Sequence, residues 1–475
     1  MNKLRNILPI TLVAFFVVVI SVLFILSLSG YEIDTSSRTV KRTGVIAVNS
    51  QPNDASVTLD GKVLNDTTGL NIDIEVGAHT LDIFKDGYFQ WSNVAVVEHS
   101  KVTHFGYPLL IPINLEEEKV FVTTNVEESF YDSSDNVIYF LGRNRDSEGV
   151  NFLTIGTFSV EQDQPIQSST EINLSNLEVI DPASLDTTGQ ILDSSNGLLI
   201  LEVTNEDSIE IVALDSQQPT TVFPVSELFS KDVSSVSFIS DDSVLLSSDD
   251  GDLSILKDWQ SKNPQLSTVA KLVKTFTQTN DERLIMQLED STDVQLVDFS
   301  NNAVSSVNLP NVQGEFNGIR VHVHGGEDNL IVDDGNTIAS FNLDRITSTA
   351  ADIEPTWSTT LSGSEFSSSA KGRFVSLNNG QKIFTYDYER NNPSVAQLKS
   401  FIDPSSLQWT NNHYFTAMSK NKEQVLISDF DGKNQYNLEP KKEIDQVLGM
   451  TQLRDAVYFI DLNNSVSKYD FGFEN

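Results

Sequence analysis

Short apolar runs recur at nearly constant intervals from residue 119 onward. Eight of them begin 61, 46, 40, 46, 44, 40 and 43 residues apart, and polar residues precede each one. Each run has three or four residues, a length typical of a strand between turns rather than of a helix. The runs are 137–140, 198–201, 244–246, 284–286, 330–332, 374–376, 414–416 and 457–460.

A second apolar strand often follows a run and ends in an aspartate, as at Asp215, Asp298 and Asp387. Repeating units of this size are typical of the four-stranded blades of a β-propeller. Residues 114–475 therefore resemble a β-propeller of about eight blades, with seven as the alternative. The turn at 427–434 is similar to propeller repeats that carry an Asp-x-Asp-Gly turn.

The last repeat ends soon after 466–473 and lacks an outer strand. Residues 119–123 read Lys-Val-Phe-Val-Thr and can supply that strand from the other end of the domain. Such pairing would close the ring and remove free sheet edges. The long first interval predicts, in addition, an insertion within 161–190.

Residues 44–113 carry a different pattern, in which apolar and polar residues alternate. Stretches such as 56–59 and 79–83 are separated by turn residues such as Asp60-Gly61, which indicates antiparallel strands joined by tight hairpins. Residues 50–61, SQPNDASVTLDG, and 76–88, VGAHTLDIFKDGY, resemble the two motifs of the PEGA domain.

The resemblance to the PEGA domain implies a small, extracytoplasmic β-sandwich without enzymatic activity. The sequence departs from the family pattern at Asp54, where the motif has glycine, and at 66–68, where the family often has Gly-x-Thr-Pro. Tyr88, Phe89 and Trp91 form a tight aromatic cluster in this module. They indicate either a sugar-stacking platform or, with Phe89 and Trp91 as alternate members, part of the sandwich core.

Residues 7–29 form a 23-residue run without a charge. About 20 apolar residues cross a bilayer, so the run predicts a transmembrane helix after a cytoplasmic tail over 1–6 and before a linker over 30–43. Lys3 and Arg5 favour an N-terminus on the inside. We therefore expect a single-pass cell-membrane protein with most of its chain outside. The alternative is a signal peptide cleaved after Ser29, at the end of that run.

The composition excludes several classes of partner and cofactor. The chain has 31 Lys and Arg residues against 67 Asp and Glu, a net charge of −36, which would repel nucleic acids. It has no cysteine, which removes disulfides, thiolate metal sites and cysteine nucleophiles. No Gly-x-Ser-x-Gly sequence is present, so a serine-hydrolase elbow is also excluded.

A few residues are candidates for metal binding. His322 and His324 alternate along a strand and would share a face, as a zinc site needs, or they are ordinary strand histidines. The turns 333–336 and 429–434 gather aspartate and asparagine oxygens, as Ca²⁺ requires, although both also fit ordinary turns. We predict no metal, no cofactor and no catalytic residue, and we leave the binding residues unassigned.

Taken with the family resemblance, these patterns predict a PEGA domain-containing single-pass membrane protein with a β-propeller. We expect a membrane-anchored, outward-facing protein of the cell envelope, which is not an enzyme and serves as a binding or scaffolding platform. Its partner would be an envelope protein or a cell-wall glycan. The alternative is a propeller enzyme that hydrolyses glycans or peptides with a carboxylate pair in its central channel.

Overall fold

The structure is a computed structural model, and most of the chain is described in it. Its residues fall into two compact units, Met1–Glu116 with Phe471–Asn475, and Glu117–Asp470. The described residues are 13, 15–25, 30–34, 39–122, 126–132, 137–145, 151–160, 164–172, 174, 188–205, 208–218, 221–229, 232–261, 263–279, 283–289, 291, 294–298, 303–307, 309, 316–343, 354–361, 363–369, 371–410, 413–451, 453–463 and 465–473.

The N-terminal apolar run is helical over residues 15–25. In the described ranges, no helix is both long and apolar enough to cross a membrane. The predicted fold class, with its transmembrane helix over 7–29, and the predicted single-pass membrane localisation are therefore wrong. The predicted tail over 1–6 and the cleavage point at Ser29 lie outside the described residues.

The first unit contains two four-stranded sheets, as alternation and tight turns predicted. Its strands are β1 (Tyr31–Asp34), β2 (Thr39–Val48), β3 (Ser56–Leu59), β4 (Lys62–Thr67), β5 (Leu70–Glu75), β6 (Gly77–Phe84), β7 (Trp91–Val97) and β8 (Val102–Phe105). One sheet has the order β1-β2-β5, with β8 added in parallel to β2, and the other has the order β4-β3-β6-β7. Both β1 and the start of β2 lie in the segment 30–43.

The two sheets bury alternate side chains against each other. Along β7, buried and more exposed residues alternate, and the fully buried Trp91 makes edge contacts with Phe105 and Tyr107 at 5.8 and 5.7 Å between ring centroids. The predicted hairpin turn at Asp60-Gly61 joins β3 to β4, with φ of 49° and 76° at its two residues. Positive φ at both positions is the requirement of a type I′ turn, which aspartate and glycine tolerate.

The second unit begins with β9 (Glu117–Val122), and its described residues form eight four-stranded antiparallel sheets, here called blades 1 to 8. Strands pair in chain order within each of the first seven blades. Blade 1 has β10 (Val126–Asp132), β11 (Val137–Arg145), β12 (Asn151–Ser159) and β13 (Gln164–Glu171); blade 2 has β14 (Thr188–Ser195), β15 (Leu198–Asn205), β16 (Ser208–Asp215) and β17 (Val222–Pro224); blade 3 has β18 (Val233–Ser240), β19 (Ser243–Ser248), β20 (Leu253–Lys257) and β21 (Gln265–Ala270); blade 4 has β22 (Val273–Gln278), β23 (Arg283–Leu288), β24 (Val294–Asp298) and β25 (Ala303–Val307).

The other four blades repeat this arrangement, and the last of them takes its outer strand from β9. Blade 5 has β26 (Gly318–His324), β27 (Glu327–Asp333), β28 (Ile338–Asn342) and β29 (Trp357–Thr359); blade 6 has β30 (Glu365–Ser368), β31 (Phe374–Asn378), β32 (Lys382–Asp387) and β33 (Asn392–Gln397); blade 7 has β34 (Gln408–Thr410), β35 (Tyr414–Met418), β36 (Val425–Asp429) and β37 (Gln435–Leu438); blade 8 has β38 (Ile444–Met450), β39 (Ala456–Asp461) and β40 (Ser465–Asp470), followed by β9.

Every one of the eight predicted apolar runs lies in the second strand of a different blade, which confirms the repeat. The predicted ring closure is also confirmed, because β9 pairs with β40 in register from Ser465↔Val122 to Tyr469↔Glu117. The insertion predicted within 161–190 falls around the connection from β13 to β14. Residues 175–187 of that connection lie outside the described residues.

The core of the second unit lies between blades. Each of its described apolar clusters combines side chains of two neighbouring blades, such as Leu141 with Leu201 from blades 1 and 2, or Ile331 with Phe384 from blades 5 and 6. The cluster containing Phe140 and Val466 joins blade 1 to blade 8. Burial of apolar surface therefore holds the blades side by side and completes the ring.

In the first unit, His79 is held between two hydrogen-bond acceptors. Its Nδ1 lies 2.7 Å from Asp60 Oδ2, and its Nε2 lies 2.7 Å from the Glu75 carbonyl oxygen. Both ring nitrogens can donate only when the imidazole is protonated. Partial burial favours the neutral form, but the bonds to Asp60 and Glu75 and their negative charges outweigh it and raise the pKa of His79.

This pair predicts a pH-dependent stability of the first unit. Because the pKa of His79 is higher in the folded than in the unfolded state, the stabilisation is complete below about pH 6.5, the unfolded pKa. It is lost as the pH rises through the pKa of His79 in the folded state. Hydrogen exchange of β3 and β6 should be slower in the wild type than in His79→Gln at low pH, with the difference shrinking as the pH rises. His104→Gln, at an exposed histidine of β8, is the control. A difference that stays constant with pH would contradict the prediction.

Candidate functional site

The acidic turns of the second unit are held by their own carboxylates. Several aspartates at strand ends accept hydrogen bonds from backbone N–H groups two residues later, which is the usual chemistry of an Asx turn. The bonds run from Gln217 to Asp215 at 2.8 Å, from Gly335 to Asp333 at 2.8 Å, from Glu389 to Asp387 at 3.0 Å and from Asn463 to Asp461 at 2.8 Å.

The turn after β36 is the most buried of the predicted calcium candidates. Asp429 is fully buried, and its Oδ1 accepts the backbone N–H groups of Lys433 and Asn434 at 3.0 and 3.1 Å, while its Oδ2 accepts Asn434 Nδ2 at 2.6 Å. Burial, with the negative charge of Asp431, raises the pKa of Asp429. The other candidate, 333–336, is capped in the same way by its aspartates. In the described ranges, no three acidic or histidine residues lie together as a metal site would need.

Two carboxylates of the first strands bond across the gaps between blades. Glu128 of β10 accepts the N–H of Ile191 in β14 at 2.9 Å, and Asp193 of β14 accepts the N–H of Phe238 in β18 at 2.8 Å. Burial raises the pKa of Glu128, with a further contribution from the charge of Glu202. Burial likewise raises the pKa of Asp193. These acids therefore help to join neighbouring blades.

The predicted pair His322 and His324 does point to one face, where the ring of Tyr388 covers both. The centroid of Tyr388 lies 4.9 Å from that of His322 and 5.7 Å from that of His324. His322 donates a hydrogen bond from Nε2 to the Gly372 carbonyl at 2.7 Å, and burial lowers its pKa to about 4. His322 is thus a neutral packing residue, whereas His324 borders an open cleft.

The aromatic cluster of the first unit does not form a common stacking face. Trp91 is buried in the core, as predicted, and Tyr88 stacks on Phe473 at 6.5 Å between ring centroids. Phe89 is 39% exposed, so its predicted place in the core is wrong. The three rings therefore have different surroundings: the core for Trp91, Phe473 for Tyr88, and solvent for much of Phe89.

The cleft beside His324 lies between blades 5 and 6 and has a volume of about 640 Å³. On blade 5, the turn Gly325-Gly326 has φ of 61° and 85°, which glycine adopts without strain, and it places His324 directly opposite Glu327. On the other side of β27, Asn329 pairs with Asn342 of β28. Asn342 Nδ2 donates to Glu327 Oε2 at 2.7 Å.

Blade 6 supplies an aromatic wall to the same cleft. Tyr386 and Tyr388 stand at 82° to each other with 5.0 Å between centroids, and the Tyr386 hydroxyl donates to Asn391 Oδ1 at 3.2 Å. Tyr388 is tied to blade 5 because its hydroxyl accepts Trp357 Nε1 at 3.0 Å and bonds Ser340 Oγ at 2.9 Å. Burial raises the pKa of Tyr388 to about 12, so it remains protonated at neutral pH.

Among these groups, sequence reasoning selected only His324. The cleft depends on residues more than 50 positions apart, and no local pattern links Glu327 to Tyr388. One signal was available in the sequence, the aromatic spacing Tyr386-x-Tyr388 beside a strand-ending aspartate. By alternation it predicts two tyrosines on one face of a blade.

Comparison with known proteins identifies the first unit. The PEGA domain family matches residues 43–110, which confirms the resemblance of its two motifs. No curated protein matches the sequence. The chain is similar to Kluyveromyces lactis Hsv2, with 12% identity over 67% of this chain and 98% of that chain and a TM-score of 0.43.

It is also similar to the Dos1 propeller, with 15% identity over 75% of this chain and 95% of that chain and a TM-score of 0.43. A third similar structure is the C-terminal WD40 domain of Sif2, with 11% identity over 75% of this chain and 98% of that chain and a TM-score of 0.46. The second unit is a propeller because its described strands form eight four-stranded sheets and the last sheet is completed by β9 from the start of the unit.

The hydroxyl of Tyr388 is predicted to hold blades 5 and 6 together at the cleft. Tyr388→Phe leaves the buried Trp357 N–H and Ser340 hydroxyl without their partner, which should cost about 1–3 kcal/mol of unfolding free energy. Tyr386→Phe removes a bond to the exposed Asn391 and should cost roughly 0.5–1.5 kcal/mol. Urea denaturation followed by tryptophan fluorescence measures both, and equal losses would contradict the assignment.

Proposed function

We propose that the protein is a non-enzymatic binding platform, in which the propeller is the scaffold and the cleft between blades 5 and 6 receives the partner. The observation that carries the proposal is the contrast between this cleft and the other polar groups described above. The acids of the turns and first strands bond to the backbone of the propeller itself. The cleft has an open volume of about 640 Å³, in the range of ligand-binding sites.

The rigid walls of the cleft between blades 5 and 6 favour ligand binding there. Most of the described lining residues lie in strands or tight turns, and the hydrogen bonds of the Tyr388 hydroxyl with Trp357 and Ser340 fix the two blades against each other. A site that is formed before the ligand arrives loses less conformational entropy when the ligand binds. The PEGA unit is proposed as a second, independent interaction module.

A glycan- or peptide-hydrolysing enzyme is the second candidate, and one observation favours it. A smaller cleft of about 300 Å³ between blades 1 and 2 is lined by Glu127, Glu128 and Glu202. Burial and the charge of Glu202 raise the pKa of Glu128, as expected of a general acid. Against this role, the Glu128 carboxylate already accepts the Ile191 N–H, which stabilises its charged form.

The test combines binding and turnover measurements on the full chain. Thermal shifts with panels of organic amines, neutral and acidic oligosaccharides and peptides would be compared between the wild type and Ser358→Arg, which fills the cleft from an exposed position of β29. Ser267→Arg, at an exposed serine of the outer strand β21, is the matched control. A ligand at 100 times its Kd should add about 2.7 kcal/mol of stability.

We expect at least one ligand class to stabilise the wild type and Ser267→Arg but not Ser358→Arg, without turnover of glycosidase, peptidase or esterase substrates. Stabilisation that persists in Ser358→Arg, or none with any class, would overturn the assignment of the cleft. Turnover that disappears in Glu128→Gln would overturn the binding-platform function in favour of the enzyme.

A further inference from the structure

The cleft between blades 5 and 6 is rich in hydrogen-bond acceptors among its described lining residues. Its charged lining groups are Glu327 and Glu354, and both are exposed to solvent. Among the described lining residues there is no lysine or arginine. The chain around it carries a net charge of −36. The carboxylates of Glu327 and Glu354 attract positive charge and repel anions, so phosphates and acidic sugars are disfavoured as ligands.

An unsatisfied acceptor lies at the same position. The Nδ1 atom of His324 is buried and has no hydrogen-bond partner among the described residues. With the ring proton on Nε2, Nδ1 is an acceptor that lacks a donor. Across the hairpin, Glu327 engages Asn342 through Oε2, and Oε1 has no partner in the described part of the chain. The exposed Oε1 atom of Glu327 is most easily satisfied by a ligand that donates hydrogen bonds.

The aromatic wall favours the same kind of ligand. Tyr388 is half-buried, and its ring borders the cleft beside His324 at 5.7 Å between centroids. The negative face of an aromatic ring attracts ammonium groups, and this attraction grows when carboxylates stand nearby. A neutral sugar would also bond to the acceptors, but it would leave both carboxylates without a compensating charge.

We infer that this cleft binds a ligand through a positively charged amine, which is attracted by the carboxylates of Glu327 and Glu354 and lies against Tyr388. The inference rests on the proposed function, since it names the ligand class of that same cleft. The amine belongs either to a free polyamine or to a lysine side chain of a peptide.

Calorimetric titration of the full chain distinguishes these sources. The probes are spermidine, the peptide Gly-Lys-Gly, the same peptide with an acetylated lysine, and the neutral sugar cellobiose. We expect spermidine or Gly-Lys-Gly to bind, with an affinity that falls as salt is added. Binding of spermidine alone indicates a free amine, whereas binding of Gly-Lys-Gly that acetylation abolishes indicates a lysine side chain.

Charge-removing variants test the contacts. Glu327→Gln and Glu354→Gln should each weaken amine binding roughly tenfold, because each removes a carboxylate charge that attracts the amine. Glu365→Gln, at an exposed position of β30 outside the cleft, should leave it unchanged. Thermal melts of all three variants exclude unfolding as the cause.

Three outcomes would overturn the inference. Cellobiose binding that Ser358→Arg abolishes, with no amine binding, would replace the amine by a neutral glycan and leave the proposed function intact. Amine binding that is unchanged in Glu327→Gln and Glu354→Gln would place the amine elsewhere. Failure of all four probes, together with failure of the wider ligand panels, would overturn both the inference and the proposed function.

Discussion

The pairing of β9 with β40 is the constraint on which the second unit depends. The strand that opens the unit completes the sheet that ends it, and the register runs from Ser465↔Val122 to Tyr469↔Glu117. Without β9, blade 8 would end in an unpaired strand edge, and nothing in its strand pairing would tie the two ends of the unit together. Closure makes the position of every blade depend on that of its neighbours, which is what holds the cleft walls in place.

Side chains between the blades also fix how neighbouring blades are aligned. Apolar clusters such as that of Phe140 and Val466 supply the burial, but they are tolerant of small rotations. The hydrogen bonds that Glu128 accepts from Ile191 and Asp193 accepts from Phe238 fix the register of neighbouring first strands. Several acidic residues therefore have a structural use, in turns and between blades, whereas the acids of the cleft between blades 5 and 6 face open volume.

Local sequence determined much of the fold. The apolar runs mark the second strands because these strands are buried on both faces by neighbouring blades, and Asp60-Gly61 marks a hairpin because its two residues tolerate positive φ. The outer strand over 119–123 was predictable because a propeller must close. The apolar run 7–29 misled the prediction, because no helix of the described residues is long and apolar enough to cross a membrane.

Much less of the candidate site could be predicted from the sequence. Alternation placed His322 and His324 on one face, but the residue that covers them, Tyr388, comes from the next blade. Glu327 is opposite His324 because of a two-glycine turn, which the sequence does show, yet Trp357 and Tyr388 meet only through the packing of blades 5 and 6. A pattern of strands predicts which faces are buried, and it does not predict which side chains meet between sheets.

Hydrogen exchange of β40 tests the central claim, that β9 closes the ring and thereby holds the blades in place. In the full chain, the amides of 465–469 should exchange as slowly as those of β39, since both strands have neighbours on either side. Replacing 117–122 by glycine and serine should speed exchange in β40 and also in blade 1, whereas the same replacement of β33, over 392–397, should affect only its own blade. Unchanged protection of β40 and blade 1 after loss of 117–122 would contradict the account.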